Sequence, residues 1–139
     1  MVVIIDNYMG NVLRNARTFL LIVVLVVVSG ATFIGGGKIE IKRFKTSSPV
    51  PFGIVVLHVK EWWRGVSIPH AIIEMKGAEK LKTFTDLSGE LVIRLIPQKY
   101  QFSASYMFLK ELSTNKIMLQ RGDSLVVDFY LPDDGPSHD

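Results

Sequence analysis

TFTDLSGELVIRLIPQKYQFSAS, residues 83–105, decides the fold. Two stretches in it alternate apolar and polar side chains. Leu91, Ile93 and Leu95 oppose Glu90, Val92 and Arg94; Tyr100, Phe102 and Ala104 oppose Gln101, Ser103 and Ser105. Period two marks a strand with one buried face, because successive side chains point to opposite sides of a sheet. Turn chemistry punctuates the pattern. Asp86 and Ser88 can bond nearby backbone amides, and Gly89 accepts φ > 0 without a Cβ penalty. Pro97 closes one strand, and the Tyr100 hydroxyl can anchor the corner that follows.

The same pattern extends in both directions. In GIVVLHVK (53–60), Val55, Leu57 and Val59 face one way; in AIIEMKG (71–77), Ala71, Ile73 and Met75 do. LKTFTD (81–86) is a short strand. YQFSASYMF (100–108) continues its inner face through Tyr106 and Phe108. NKIMLQ (115–120) leads by the 121–123 turn into SLVVDFYL (124–131), with Leu125, Val127, Phe129 and Leu131 inside. Seven short strands in about 80 residues, with regular turn signals, predict an antiparallel β-sandwich of Ig-like architecture. The apolar side chains of the inner faces suffice for a small core, each worth about 1.5–3 kcal/mol when fully buried, before entropy is counted.

These residues resemble the carboxypeptidase regulatory-like domain, a transthyretin-like (prealbumin-like) sandwich. The likeness rests on GVSIPHAIIEMKG followed by TFTDLSGELVIRLIPQKYQFSAS, with Ala71, Thr85, Asp86, Gly89, Glu90, Pro97 and Tyr100 in the family's motif places. It covers residues 52–131. Gln98 and Lys99 stand where the family usually has glycine before the tyrosine. The resemblance implies a structural or interaction module, with no catalytic residues of its own.

The 139-residue chain has room for one domain and an appendage. The appendage is the uncharged run TFLLIVVLVVVSGATFIGGG, residues 18–37, centred on Phe19, Leu20, Leu21, Ile22 and Leu25. As a helix of about 20 residues rising 1.5 Å each, it would match a hydrocarbon core of about 30 Å. The expected organisation is therefore an N-terminal flank (1–17), a single transmembrane α-helix (18–37) ended by three glycines, a connector (38–51), the sandwich (52–132) and an acidic tail (133–139). A cleaved signal peptide is the competing reading, with Arg14 and Arg17 before the run and Ser29, Gly30 and Ala31 as its cleavage site. The segment 38–45 alternates, with Ile39, Ile41 and Phe44 among charges, and can act as structure rather than flank.

The basic balance is local. Residues 1–49 carry six Lys/Arg against two acids, whereas residues 50–139 carry ten against eleven. Cations flanking an apolar run suit lipid headgroups rather than nucleic acid. Counted literally, they slightly favour a cytoplasmic β domain, but the excess is small and charge leaves the membrane side open. Without cysteine there is no disulfide framework or thiolate metal site.

Candidate chemistry is sparse. His58 falls on the polar face of a strand and His70 follows Pro69 in a loop, neither with a carboxylate or histidine at ligand spacing. Arg121, Gly122 and Asp123 spell an adhesion tripeptide but are ordinary turn residues. No catalytic residue, cofactor site or metal site is expected. Contact surface is better represented: Trp62, Trp63 and Arg64 end the first strand, where one tryptophan can pack and the other can meet a partner or the lipid interface. Val56, Ile72, Phe84, Val92, Met107, Val126 and Tyr130 recur at outward positions.

Three functions fit. The first is a non-catalytic accessory subunit of a larger membrane complex, single-pass, with its sandwich outside the cytoplasm, the side on which the resembled family mostly works. The second is a pilin-like surface filament assembled through the helix or through 38–45 as a donated strand. The third is an anchored peptide- or sugar-binding module. The expected partners are membrane lipid and proteins of a hetero- or homo-oligomeric assembly, not nucleic acid.

Overall fold

A computed structural model describes residues 28–34, 36–46 and 50–134, the first of these by backbone pairing alone. Among the described residues there are ten strands: β1 (Val28–Ile34), β2 (Gly37–Lys45), β3 (Gly53–Glu61), β4 (Ile72–Lys76), β5 (Lys80–Phe84), β6 (Glu90–Leu95), β7 (Gln98–Tyr106), β8 (Leu109–Ser113), β9 (Ile117–Leu119) and β10 (Asp123–Leu131). They form an all-β sandwich. One sheet runs β1-β2-β10-β3-β6; the other runs β5-β4-β7-β8, with β9 also paired to β7. Pairing is antiparallel except between β10 and β3, which lie parallel at the centre of the first sheet. A wholly antiparallel sandwich was the expectation. The exception arises because the chain visits the second sheet between β3 and β10 and returns in the same direction.

Alternation sorts the core as the period predicts. Val55, Leu57 and Val59 of β3 and Leu125, Val127, Phe129 and Leu131 of β10 are fully buried against Ile73, Phe102 and Ala104 of the other sheet. The pattern breaks at the end of β7. A register shift lies between Ala104 and Tyr106, and Phe108 takes φ +63° in the turn into β8. Tyr106 and Phe108, expected inside, are therefore exposed, Phe108 at 84%. Strand β8 was not anticipated: LKELS carries two charges in five residues, and no glycine or proline marks the turn before it.

The largest departures lie near the N-terminus. Val28–Ile34, expected to be the second half of a helix, is a strand paired over its whole length with β2. Ile34 and Gly37 are register partners, which leaves two positions for the turn, and Gly36 there has φ +89°. The glycine run that reads as a helix terminator is a tight hairpin turn, the geometry that positive φ favours. Val28, Thr32, Phe33 and Ile34 are β-branched or aromatic, types enriched in strands. With 28–34 in the sheet, the uncharged run keeps only residues 18–27, about 15 Å as a helix and half of a hydrocarbon core. Those ten residues lie outside the described part of the chain. No helix of the described residues is long and apolar enough to cross a membrane.

Strand β2 falls in the expected connector and sits between β1 and β10, so the sandwich starts well before residue 52. Its first residue packs tightly: a Cβ on Gly37 would lie 2.6 Å from Pro132 Cδ. The sandwich also ends later than expected. Asp133 bridges Leu109, and the Asp134 N–H donates to Phe108 O at 3.0 Å; residues 135–139 lie outside the description.

Candidate functional site

Strand directions give the sandwich two ends. Strands β3, β7 and β10 run toward one end; β2, β6 and β8 run away from it. The far end collects positions 36, 62–71, 85–89, 107–108 and 132–134. The near end collects 46, 50–52, 77–79, 96–97, 114–116 and 120–122. Chain residues upstream of β1 enter at the near end, because Val28 pairs with Arg43 beside the start of β10. Nine-residue strands at about 3.3 Å per residue set the ends about 30 Å apart.

The far end is locally well built. Asp86 Oδ1 accepts from the Ser88 N–H at 2.9 Å, the Ser88 hydroxyl at 2.7 Å and the Glu90 N–H at 2.9 Å, while Gly89 takes φ +74°. Partial burial pushes the Asp86 carboxyl up, but these donors outweigh it and hold it below its ordinary value. Thr85, buried below it, donates to Ile68 O and accepts from the Ala71 N–H, both at 2.9 Å, and so ties the 62–71 loop to the turn.

On this frame stand the tryptophans. Trp62 is half-buried: its backbone N–H donates to Leu131 O at 3.0 Å, and the Lys38 ammonium lies 5.8 Å from its ring centre. Trp63 turns outward, 69% exposed, with its Nε1–H donating to Asp133 at 3.0 Å. Arg64 is exposed and pairs with Glu61 at 3.1 Å. Val66, Leu87, Met107 and Phe108 are exposed at the same end. The bridge from Leu109 to Asp133 and the bond from Asp134 to Phe108 bring the β7–β8 turn beside the Trp63 loop. Met107 and Phe108 belong to this surface, and sequence reading placed Phe108 inside; its signal was the absence of a turn-former before β8.

The outer face of the first sheet carries an ion ladder. His58 on β3 bonds Asp128 on β10 at 2.6 Å and Glu90 on β6 at 2.7 Å. These carboxylates stand 70 and 32 residues away in sequence, so no local spacing reveals them. Asp128 raises the His58 pKa, partial burial lowers it and Glu90 raises it again, for a net rise. The three side chains satisfy one another, and no group of three metal-ligating residues suited to an ion occurs among the described residues. One row above, Lys38 lies 4.5 Å and Lys60 5.7 Å from the Tyr130 ring centre. His70 is exposed, with φ +57° in the 62–71 loop.

The near end is different in kind. Asp123 is buried and meets Arg43 at 3.6 Å and Lys45 at 3.8 Å; it also accepts from the Gln120 N–H at 2.8 Å. The adhesion-like tripeptide therefore has its aspartate inside the fold. Exposed at this end are Lys42, Lys45, Lys99, Lys116 and Arg121, with Glu79 as an acid among them. Tyr100 holds the corner after Pro97, its hydroxyl donating to Ile96 O at 2.7 Å; burial raises its pKa.

Against known proteins the chain is matched by fold alone. No family model matches it, and no curated protein does. Among solved structures it is similar to the Bacillus anthracis TIE protein, with a TM-score of 0.52 and 13% identity, over 76% of this chain and 26% of that one. The likeness spans about a quarter of that protein and supports an Ig-like or transthyretin-like sandwich. It carries no activity across.

Proposed function

We propose that this chain is a non-catalytic interaction module, held at a membrane outside the cytoplasm by the apolar segment before β1, and that it serves as an accessory subunit of a larger assembly. One observation supports the reading above others. Trp63, Val66, Leu87, Met107 and Phe108 expose apolar surface together at the end of the sandwich remote from where the chain enters. Exposed apolar groups gathered at one end and rimmed by Glu61, Arg64 and Asp133 have the composition of a contact surface, where aromatic anchors carry most of the binding energy. A module tethered at one end presents such a surface outward. The filament reading loses its proposed donor, since residues 38–43 are already paired on both sides within their own sheet and 44–45 with β10.

The test is the native mass and polypeptide content of the protein extracted from its own membranes in mild detergent. Co-purification with other membrane polypeptides at fixed stoichiometry, lost in a Trp63→Ser/Phe108→Ser variant, is the expected result. A homopolymer visible as fibres would replace the accessory subunit with a filament. A lone monomer would overturn both assemblies.

A further inference from the structure

Charge is not spread evenly over this molecule. Lys45 ends β2 at the near end with Lys42 three positions earlier on the same strand, Lys99 lies near the start of β7 opposite Met118, and Lys116 and Arg121 lie in the loops flanking β9. All five are exposed. Of the two acids there, Asp123 is buried between Arg43 and Lys45, which leaves Glu79 as the exposed counter-charge. The far end holds Glu61, Asp86, Glu111, Asp133 and Asp134 against Lys38, Lys60, Arg64 and Lys110. In sequence the near-end cations are dispersed from position 42 to 121, and residues 28–134 as a whole carry fourteen Lys/Arg against eleven Asp/Glu. Only the strand directions put them on one end.

We propose that the near end is a docking surface for anionic phospholipid headgroups, which seats the sandwich upright on the membrane with its tryptophans about 30 Å from the lipid. Two observations beyond charge favour lipid over other polyanions. The chain enters β1 at this same end, directly after the uncharged run 18–27, so a membrane that takes up that run is brought against these cations. The uncharged run is also short for a full span. Interfacial cations near an anionic leaflet strengthen such attachment by a similar increment each, and the pull fades within a Debye length of the surface. The inference rests on the membrane-held reading above and adds the lipid class and the orientation.

The experiment uses the full chain and its two tryptophans, both at the far end, as the reporter; the absence of cysteine allows a single label at the other end. The chain is floated with vesicles of phosphatidylcholine alone or with one third phosphatidylserine, and a Lys116→Cys variant carries an environment-sensitive fluorophore. With phosphatidylserine, the label at position 116 is quenched by brominated acyl chains, while tryptophan emission is untouched by them and open to aqueous acrylamide. A Lys99→Gln/Lys116→Gln/Arg121→Gln variant, which alters only exposed side chains, binds the anionic vesicles on the order of 100-fold more weakly, and 0.5 M salt narrows that gap. Bromolipid quenching of the tryptophans, with the label unquenched, would invert the orientation and overturn the proposal. Equal flotation with both lipids, unchanged by the triple substitution, would remove the anionic specificity and overturn it while leaving membrane attachment intact. No flotation with either lipid would instead overturn the membrane-held reading itself, and with it this one.

Discussion

The two ends of this sandwich share one hydrophobic core and have opposite surfaces. At the far end, apolar side chains stand exposed above well-bonded turns: Asp86 gathers three donors on one oxygen, Thr85 pins the Trp loop, and Trp63 is held by Asp133. At the near end, cations surround a buried aspartate and the exposed surface is basic. The difference shows how a domain of modest net charge gains polarity. Strands about 30 Å long hold their terminal residues apart, and each loop contributes to one end only. Surface chemistry can therefore be divided between a tethering end and a presenting end without any change in the core.

The comparison can be broken most forcefully through the core both ends depend on. Phe102 is fully buried and stacks with Tyr100 at 6.0 Å between ring centres. Phe102→Ala should cost about 3–5 kcal/mol in denaturant unfolding, with both ends lost in one transition. Two separate transitions would show that the ends are not coupled. Next, Trp63→Ala should weaken the partner contact by about 2 kcal/mol or more, measured by titration with the co-purified partner. Because Trp63 is largely exposed, its unfolding midpoint should move little. A large stability loss with unchanged binding would make the tryptophan a packing residue.

Asp86→Ala removes the carboxylate that organises the far-end turn and should cost about 1–2 kcal/mol, with no effect on vesicle binding at the near end. Since the folded Asp86 pKa is lowered, its contribution is present above the ordinary carboxylate value and disappears as pH falls through the folded value. The smallest effect belongs to the face between the ends. The His58 pKa is raised in the fold, so its charged pairing with Asp128 and Glu90 is fully stabilising below the ordinary value of 6.5 and is lost as pH rises through the folded value. Thermal unfolding of His58→Gln should differ from the parent most near pH 6 and least near pH 9, by about 1 kcal/mol because the group is partly solvated. A difference independent of pH would mean the imidazole acts only as a neutral hydrogen-bonding group.

Alternation made the inner faces of β3, β4, β7 and β10 legible, because the period of a strand is local and Leu57, Ile73, Phe102 and Val127 follow it without exception. The Asp86 turn was readable for the same reason, since donor and acceptor lie within four residues. Residues 28–45 were misread as helix and connector. Hydropathy summed over a window does not separate a membrane helix from an apolar strand followed by a two-residue glycine turn. The His58 ladder and the parallel β10–β3 pairing were invisible because their partners come from distant parts of the chain.

By itself, then, the sequence determined the β-sandwich class, the inner faces of β3, β4 and β10 and the Asp86 turn, all of which depend on neighbours a few positions apart. Tertiary structure alone decided which loops share an end, and therefore that Trp63 and Phe108 lie at one end and Lys45 and Arg121 at the other. Those groupings follow from strand direction and register, which are set by the packing of the whole chain.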